Sequence, residues 1–133
     1  MADVIETMRQ ARSLKTFVKA IEKAGLADRL KGPGPFTVFA PADEAFAKLP
    51  PATVDALLAN PSPLAVILGH HLVEGKITVA DAAKVESIKT VSSQYVQIRH
   101  NGDVTVDNAK IVQADVACDN GILHIIDTVI MPG

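Results

Sequence analysis

The chain has 133 residues, of which 48% are hydrophobic and 21% are charged. This is enough for one compact domain that buries about two-thirds of the surface of its unfolded chain, so we expect a single domain over the whole chain. The 13 Lys and Arg residues against 15 Asp and Glu residues give a formal net charge of −2, which argues against a nucleic-acid partner.

The sequence gives little information about the location of the protein or about disulfide bonds. The longest apolar stretches, residues 64–68 and 121–126, are far too short to span a membrane. The first residues, MADVIE, lack the basic and then apolar pattern of a secretory signal. Cys118 is the one cysteine, so no internal disulfide can form. We expect a monomer, with a Cys118-linked dimer as the alternative.

The first helix is predicted from apolar residues at helical spacing: Leu14, Phe17, Val18 and Ile21. Ser13 is placed to cap its start and Gly25 to end it. Residues 36–39 then have the β-branched and aromatic content of a buried strand.

Three more helices are predicted from their capping residues. Asp43 is expected to cap a helix that carries Phe46 and Leu49, and Thr53 one that carries Val54, Leu57 and Leu58. Ser62-Pro63 is expected to open the third. Helical spacing places His71 on the inward face of this third helix and His70 roughly 100° away from it. A short further helix should follow Thr78, which has capping-box spacing to Asp81.

From Val85 onward the apolar period changes to two, which is typical of strands. A three-residue loop over residues 100–102 would pair Ile98 with Val104, whereas a two-residue turn would split the apolar side chains between both faces. We therefore predict the three-residue loop, with Gly102 at positive φ. Residues 122–126 are apolar on both faces, as in a strand buried on both sides. Helices followed by several strands predict an α+β fold.

Three segments carry a family resemblance. They are residues 36–46 (FTVFAPADEAF), 69–75 (GHHLVEG) and 120–132 (NGILHIIDTVIMP). With them, the chain resembles the fasciclin-like (FAS1) domain from end to end, as a small single-domain member of bacterial type. The resemblance implies a wedge or sandwich of two β-sheets flanked by several α-helices.

The match departs from the family pattern at two places. The central motif of the family is a Tyr-His pair, and here His70 replaces the tyrosine whereas His71 keeps the histidine. Some animal members carry an adhesive Asp-Ile pair before the last motif, and Asp115-Val116 occupies that position here. The resemblance makes Asp115, Val116 and His70 the candidate partner contacts. A solvated loop carboxylate is the alternative for Asp115.

The remaining motif residues are expected to be structural: Phe39, Pro41, Asp43, His71 and His124. We expect the two buried-face histidines, His71 and His124, to bond to backbone groups. No metal, cofactor or catalytic site is predicted, because adjacent histidines diverge and no nucleophile lies in a recognisable motif.

By resemblance, the function is an extracytoplasmic adhesion or protein-interaction module that attaches cells to a surface, matrix or host. The resemblance implies a secreted, periplasmic or cell-surface location. The alternative is a carrier of an apolar, carotenoid-like or lipid-like molecule in a cleft of the wedge, since some family relatives bind carotenoids.

Overall fold

The computed structural model describes residues 4–11, 14–26, 35–91, 95–101, 103–106, 109–118 and 120–129. In chain order, the helices are α1 (Val4–Gln10), α2 (Lys15–Lys23), α3 (Asp43–Ala47), α4 (Pro51–Ala59), α5 (Pro61–Gly69) and α6 (Val79–Ala82). The strands are β1 (Phe36–Pro41), β2 (Leu72–Glu74), β3 (Ser87–Lys89), β4 (Tyr95–Asn101), β5 (Asp103–Val106), β6 (Ala109–Cys118) and β7 (Gly121–Ile126).

The seven strands are hydrogen-bonded in the order β2-β1-β7-β6-β5-β4-β3. Among these strands, β1 and β7 run parallel and the other pairs are antiparallel. Every residue of β7 is buried, because one core lies between α1, α2, α5 and the β1/β7 pair and a second lies between β1 and strands β3 to β6. The predicted α+β class and the doubly buried last strand are confirmed.

Gly25 follows the last turn of α2 and stops the helix, as predicted. Gly25 adopts φ 74° and Leu26 N–H donates to the Ile21 carbonyl over 3.0 Å, which is the hydrogen bond of a Schellman motif. Its four apolar positions are buried. The predicted cap Ser13 lies outside the described residues, and Leu14 occupies the N-cap position without a side-chain hydrogen bond.

The prediction that Asp43 caps its own helix is wrong. Helix α3 begins at Asp43 with Ala42 at the N-cap, so the aspartate is one position too late to cap α3. Its Oδ1 instead accepts a hydrogen bond over 2.9 Å from the backbone N–H of Thr16 in the first turn of α2. Asp43 therefore caps a helix that precedes it by 27 positions.

The next two helices begin earlier than predicted, at Pro51 and Pro61. Proline suits a first helical position because it lacks the N–H that would be unpaired there and has a helical φ. Thr53 consequently lies inside α4 and does not cap it. The capping box of α6 is confirmed, with Asp81 N–H donating to Thr78 Oγ1 over 3.1 Å.

The β4–β5 register is shifted by two residues from the prediction. Ile98 pairs with Val106 and His100 with Val104. A shift of two preserves the side of the sheet on which each residue lies, so the predicted single apolar face is retained. The alternation of apolar residues along β4 and β5 predicts which face is apolar. It does not distinguish two registers that differ by two residues, because both keep the same face. Gly102 lies outside the described residues.

Candidate functional site

The polar residues of the first and last motifs meet at the segment between β2 and α6. The Thr37 hydroxyl, fully buried in β1, donates to the Gly75 carbonyl over 2.6 Å and accepts from Ile77 N–H over 2.8 Å. His124 Nε2 in β7 lies 2.7 Å from the Ile77 carbonyl. These contacts fix residues 75–77 against the sheet. Thr37 was not singled out in the sequence, although a hydroxyl within an otherwise apolar strand indicates a buried hydrogen bond.

The hydrogen bonds of His124 define its tautomer. Its Nδ1 accepts the backbone N–H of Asp115 over 3.1 Å, so Nε2 carries the proton and donates it to the Ile77 carbonyl. The imidazole stacks on Phe39, with ring centroids 5.5 Å apart. His124 thus connects β6, β7 and the segment before α6 from within the core.

Asp115 lies within β6 and not in a loop. It has φ 58°, a left-handed conformation that Asp tolerates better than most residues, and it lies where the register of β6 and β7 shifts. Its Oδ1 accepts a hydrogen bond over 2.9 Å from Val79 N–H at the start of α6. Its side chain is nevertheless 44% exposed. The carboxylate is therefore held in one place at the surface.

The other two contact candidates are placed less favourably. Val116 is half-buried and packs against the core between the helices and β1/β7. His70 is only 3% exposed, which corrects its selection as a residue that a partner could reach. Helical spacing had placed it away from the inward face, but the chain turns at His70, immediately after α5 ends at Gly69. Val112 on β6, which no sequence motif marked, is 55% exposed.

His71 is fully buried. Its Nδ1 lies 2.9 Å from the Ile67 carbonyl, and its ring meets Phe17 edge-on with centroids 5.9 Å apart. Burial, with a smaller contribution from His70, lowers the pKa of His71 from 6.5 to about 4, although the bond to Ile67 opposes the shift. The imidazole is neutral at pH 7 and joins α5 to α2.

The other motif residues are also used in packing. Phe39 is fully buried and its N–H donates to the His71 carbonyl over 2.8 Å. Pro41 ends β1 opposite Ile126, and as the last residue of the strand it interrupts no ladder. Gly121 approaches the Phe36 carbonyl so closely that a Cβ would collide with it.

An apolar cavity lies among α2, α3, α4 and α5. Its volume is about 10 Å³, and Phe46, Leu58, Ile67 and His71 contribute to its walls. That is room for about one water molecule, so a carotenoid-like molecule would not fit unless the helices around the cavity moved apart.

Metal and thiol chemistry have little support in the described part of the chain. Among those residues, no group of three or more His, Cys, Asp or Glu side chains is arranged to hold a metal ion. Cys118 is a thiol at the end of β6 and only 9% exposed, so a disulfide to a second chain would require that end of the strand to open. No helix among the same residues is long and apolar enough to cross a membrane.

The fold of the chain matches a solved structure. It superposes on the FAS1 domain pair of the insect cell adhesion molecule fasciclin I with a TM-score of 0.88 at 19% identity, covering 98% of this chain and 51% of that one. This likeness defines the fold.

The family follows from sequence comparison. The model of the fasciclin domain matches residues 12–132. The uncharacterized protein sll1735 of Synechocystis sp. is 42% identical over 133 residues, which is 100% of both chains. The cell surface glycolipoprotein MPB83 of Mycobacterium bovis is 36% identical over 109 residues, covering 80% of this chain and 48% of that protein. The chain belongs to the fasciclin (FAS1) domain family.

Proposed function

We propose that this chain is an extracytoplasmic attachment module that binds a protein or cell-surface partner through residues 113–116 of β6. We call this segment, where the register with β7 shifts, the β6 bulge. The observation that carries the proposal is the placement of Asp115: its backbone N–H is bound by His124 and one carboxylate oxygen by Val79, yet the side chain is 44% exposed. A fixed, exposed carboxylate can pair with a cationic partner group at little additional cost in side-chain entropy.

The surroundings of Asp115 support a contact surface. Val112, three residues before Asp115 on the same strand, is 55% exposed, so β6 also offers an apolar side chain to solvent. Strand β5 pairs with β6 at Ala109 and Lys110, near the start of β6. The β6 bulge therefore lies beyond the end of β5. The proposal includes no catalytic step, because the motif histidines are used to hold backbone groups.

The names of relatives support a surface role. Fasciclin I is described as a cell adhesion molecule and MPB83 as a cell surface protein. A secreted, periplasmic or cell-surface location and a monomeric state are parts of the same proposal. The carrier alternative has weaker support, since the apolar cavity has a volume of about 10 Å³.

The test is the attachment of beads that carry the purified chain to bacterial and host-type cells. Asp115→Asn is the informative variant, because the amide oxygen can still accept from Val79 and Asn tolerates positive φ, whereas the charge is removed. Asp55→Asn, at an exposed position of α4, is the matched control. Circular dichroism and melting curves establish that all variants are folded.

We expect saturable attachment by the wild type and the Asp55 variant, and about a tenfold loss or more for Asp115→Asn. Equal attachment by the Asp115 variant would exclude this carboxylate as the contact. Absence of attachment by the wild type would contradict the attachment role, and native mass spectrometry would then show whether an apolar molecule is bound.

A further inference from the structure

The outer face of strands β3 and β4 carries a cluster of side chains that are dispersed in the sequence. On β4, Val96 and Ile98 are buried in the core, so the alternating residues Tyr95, Gln97 and Arg99 point outward. Tyr95 is 60% exposed. It is the one tyrosine of a chain that has no tryptophan.

Strand register brings cations to this face. Lys89 on β3 pairs directly with Tyr95, and Arg99 pairs with Thr105 on β5. Thr105 in turn pairs with Lys110 at the start of β6. Directly paired side chains have Cβ atoms about 5 Å apart, so Lys89 lies beside the Tyr95 ring. Arg99 lies about 13 Å farther along β4 than Tyr95. We call Lys89, Tyr95 and Arg99 the outer-face cluster.

The cluster is positive although the whole chain has a net charge of −2. Its two charged members, Lys89 and Arg99, are both cations. Acidic residues lie at its margins. Glu74 lines a surface depression together with Lys89, Asp103 is the first residue of β5, and the carboxylate of Asp127 accepts the backbone N–H of Lys110 over 2.9 Å. An anionic ligand on the outer-face cluster would therefore meet two cations and an aromatic ring.

We propose that the outer-face cluster binds an acidic polysaccharide of the polyuronate type. The exposed face of the Tyr95 ring can pack against the C–H groups of a sugar ring. The planar guanidinium of Arg99 can donate two parallel hydrogen bonds to the carboxylate of a uronic acid. A linear polymer can lie across a strand face and reach both cations. A nucleic acid is disfavoured by the single aromatic side chain and the negative net charge.

This surface is distinct from the β6 bulge, and the inference rests on the proposed attachment role only for its biological setting. Binding can therefore be tested without cells. The wild-type chain is titrated with alginate, a polyuronate, and with neutral dextran and dextran sulfate as comparison polymers. Isothermal titration calorimetry at two salt concentrations gives affinity and its ionic component.

The variants separate the two contributions of the cluster. Tyr95→Ala removes the ring, and the double change Lys89→Gln with Arg99→Gln removes the charges. Lys19→Gln with Lys23→Gln, both exposed on α2, is the matched control for charge. Circular dichroism establishes the fold of each variant.

We expect alginate to bind more weakly as salt rises, and each cluster variant to weaken binding by about tenfold or more. The α2 variant should bind as the wild type does. Absence of alginate binding, preference for dextran sulfate, or equal losses in the α2 variant would overturn the inference. Asp115→Asn should keep alginate affinity, so failure of the attachment proposal and failure of this one give different results.

Discussion

The fold removes the His71 imidazole from solvent and lowers its pKa. It is fully buried, bonds to the Ile67 carbonyl and contacts Phe17 across the boundary between α5 and α2. Its neighbour His70 is also buried. The histidine pair therefore belongs to the core, and a contribution to stability is the prediction to test.

Replacement of His71 by alanine should lower the free energy of unfolding by about 2 kcal/mol or more, because the Ile67 and Phe17 contacts are lost and a cavity is left. Urea denaturation followed by circular dichroism measures this change. An unchanged midpoint would show that the imidazole contributes nothing to the fold.

The same residue predicts a pH dependence. The unfolded chain protonates His71 near pH 6.5, whereas burial lowers its pKa in the folded protein to about 4. Below pH 6.5 the unfolded state therefore binds more protons, so stability is full above that pH and falls as the pH drops towards 4. From this group alone, unfolding should require about 2 kcal/mol less at pH 5 than at pH 7.

Urea titrations at both pH values, with wild type and His71→Gln, isolate that effect from the other titrating groups. Between pH 7 and pH 5, the free energy of unfolding of the wild type should fall by about 2 kcal/mol more than that of His71→Gln. A His71 ring signal that titrates in the folded protein near pH 6.5 would contradict the prediction.

At the scale of elements, side chains of one helix or its cap satisfy backbone groups of the helix before it. Leu14 cannot cap α2, and Asp43 does so from the start of α3. Asn60 similarly donates from its Nδ2 to the Ala56 carbonyl near the end of α4, over 2.6 Å. Each such contact joins one helix to the next.

Replacement of Asp43 by alanine should destabilise the protein by about 1 kcal/mol, because the Thr16 N–H loses its acceptor. Asp43→Asn should cost less, since the amide oxygen can still accept. Glu44→Ala, at the adjacent exposed position, is the control. If Glu44→Ala and Asp43→Ala had equal effects in thermal melts, capping of α2 would not explain the loss.

At the scale of the whole molecule, the sheet separates two kinds of surface. Its interior polar groups, Thr37 and His124, hold the segment before α6 and so place the β6 bulge. The outer-face cluster lies on strands β3 and β4, farther along the strand order. Attachment through Asp115 and binding of a polysaccharide are therefore expected to respond to different substitutions.

The sequence by itself determined the α+β class, the inward faces of α2 and α5, the capping box at Thr78 and the doubly buried β7. These features depend on residues within one element, where a period of 3.6 or 2 and local capping chemistry are sufficient. Only the tertiary structure decided that Asp43 caps α2, that His124 binds Asp115, and that Lys89, Tyr95 and Arg99 share a face. Those contacts depend on which distant segments pair and in which register, and local periodicity does not specify a partner.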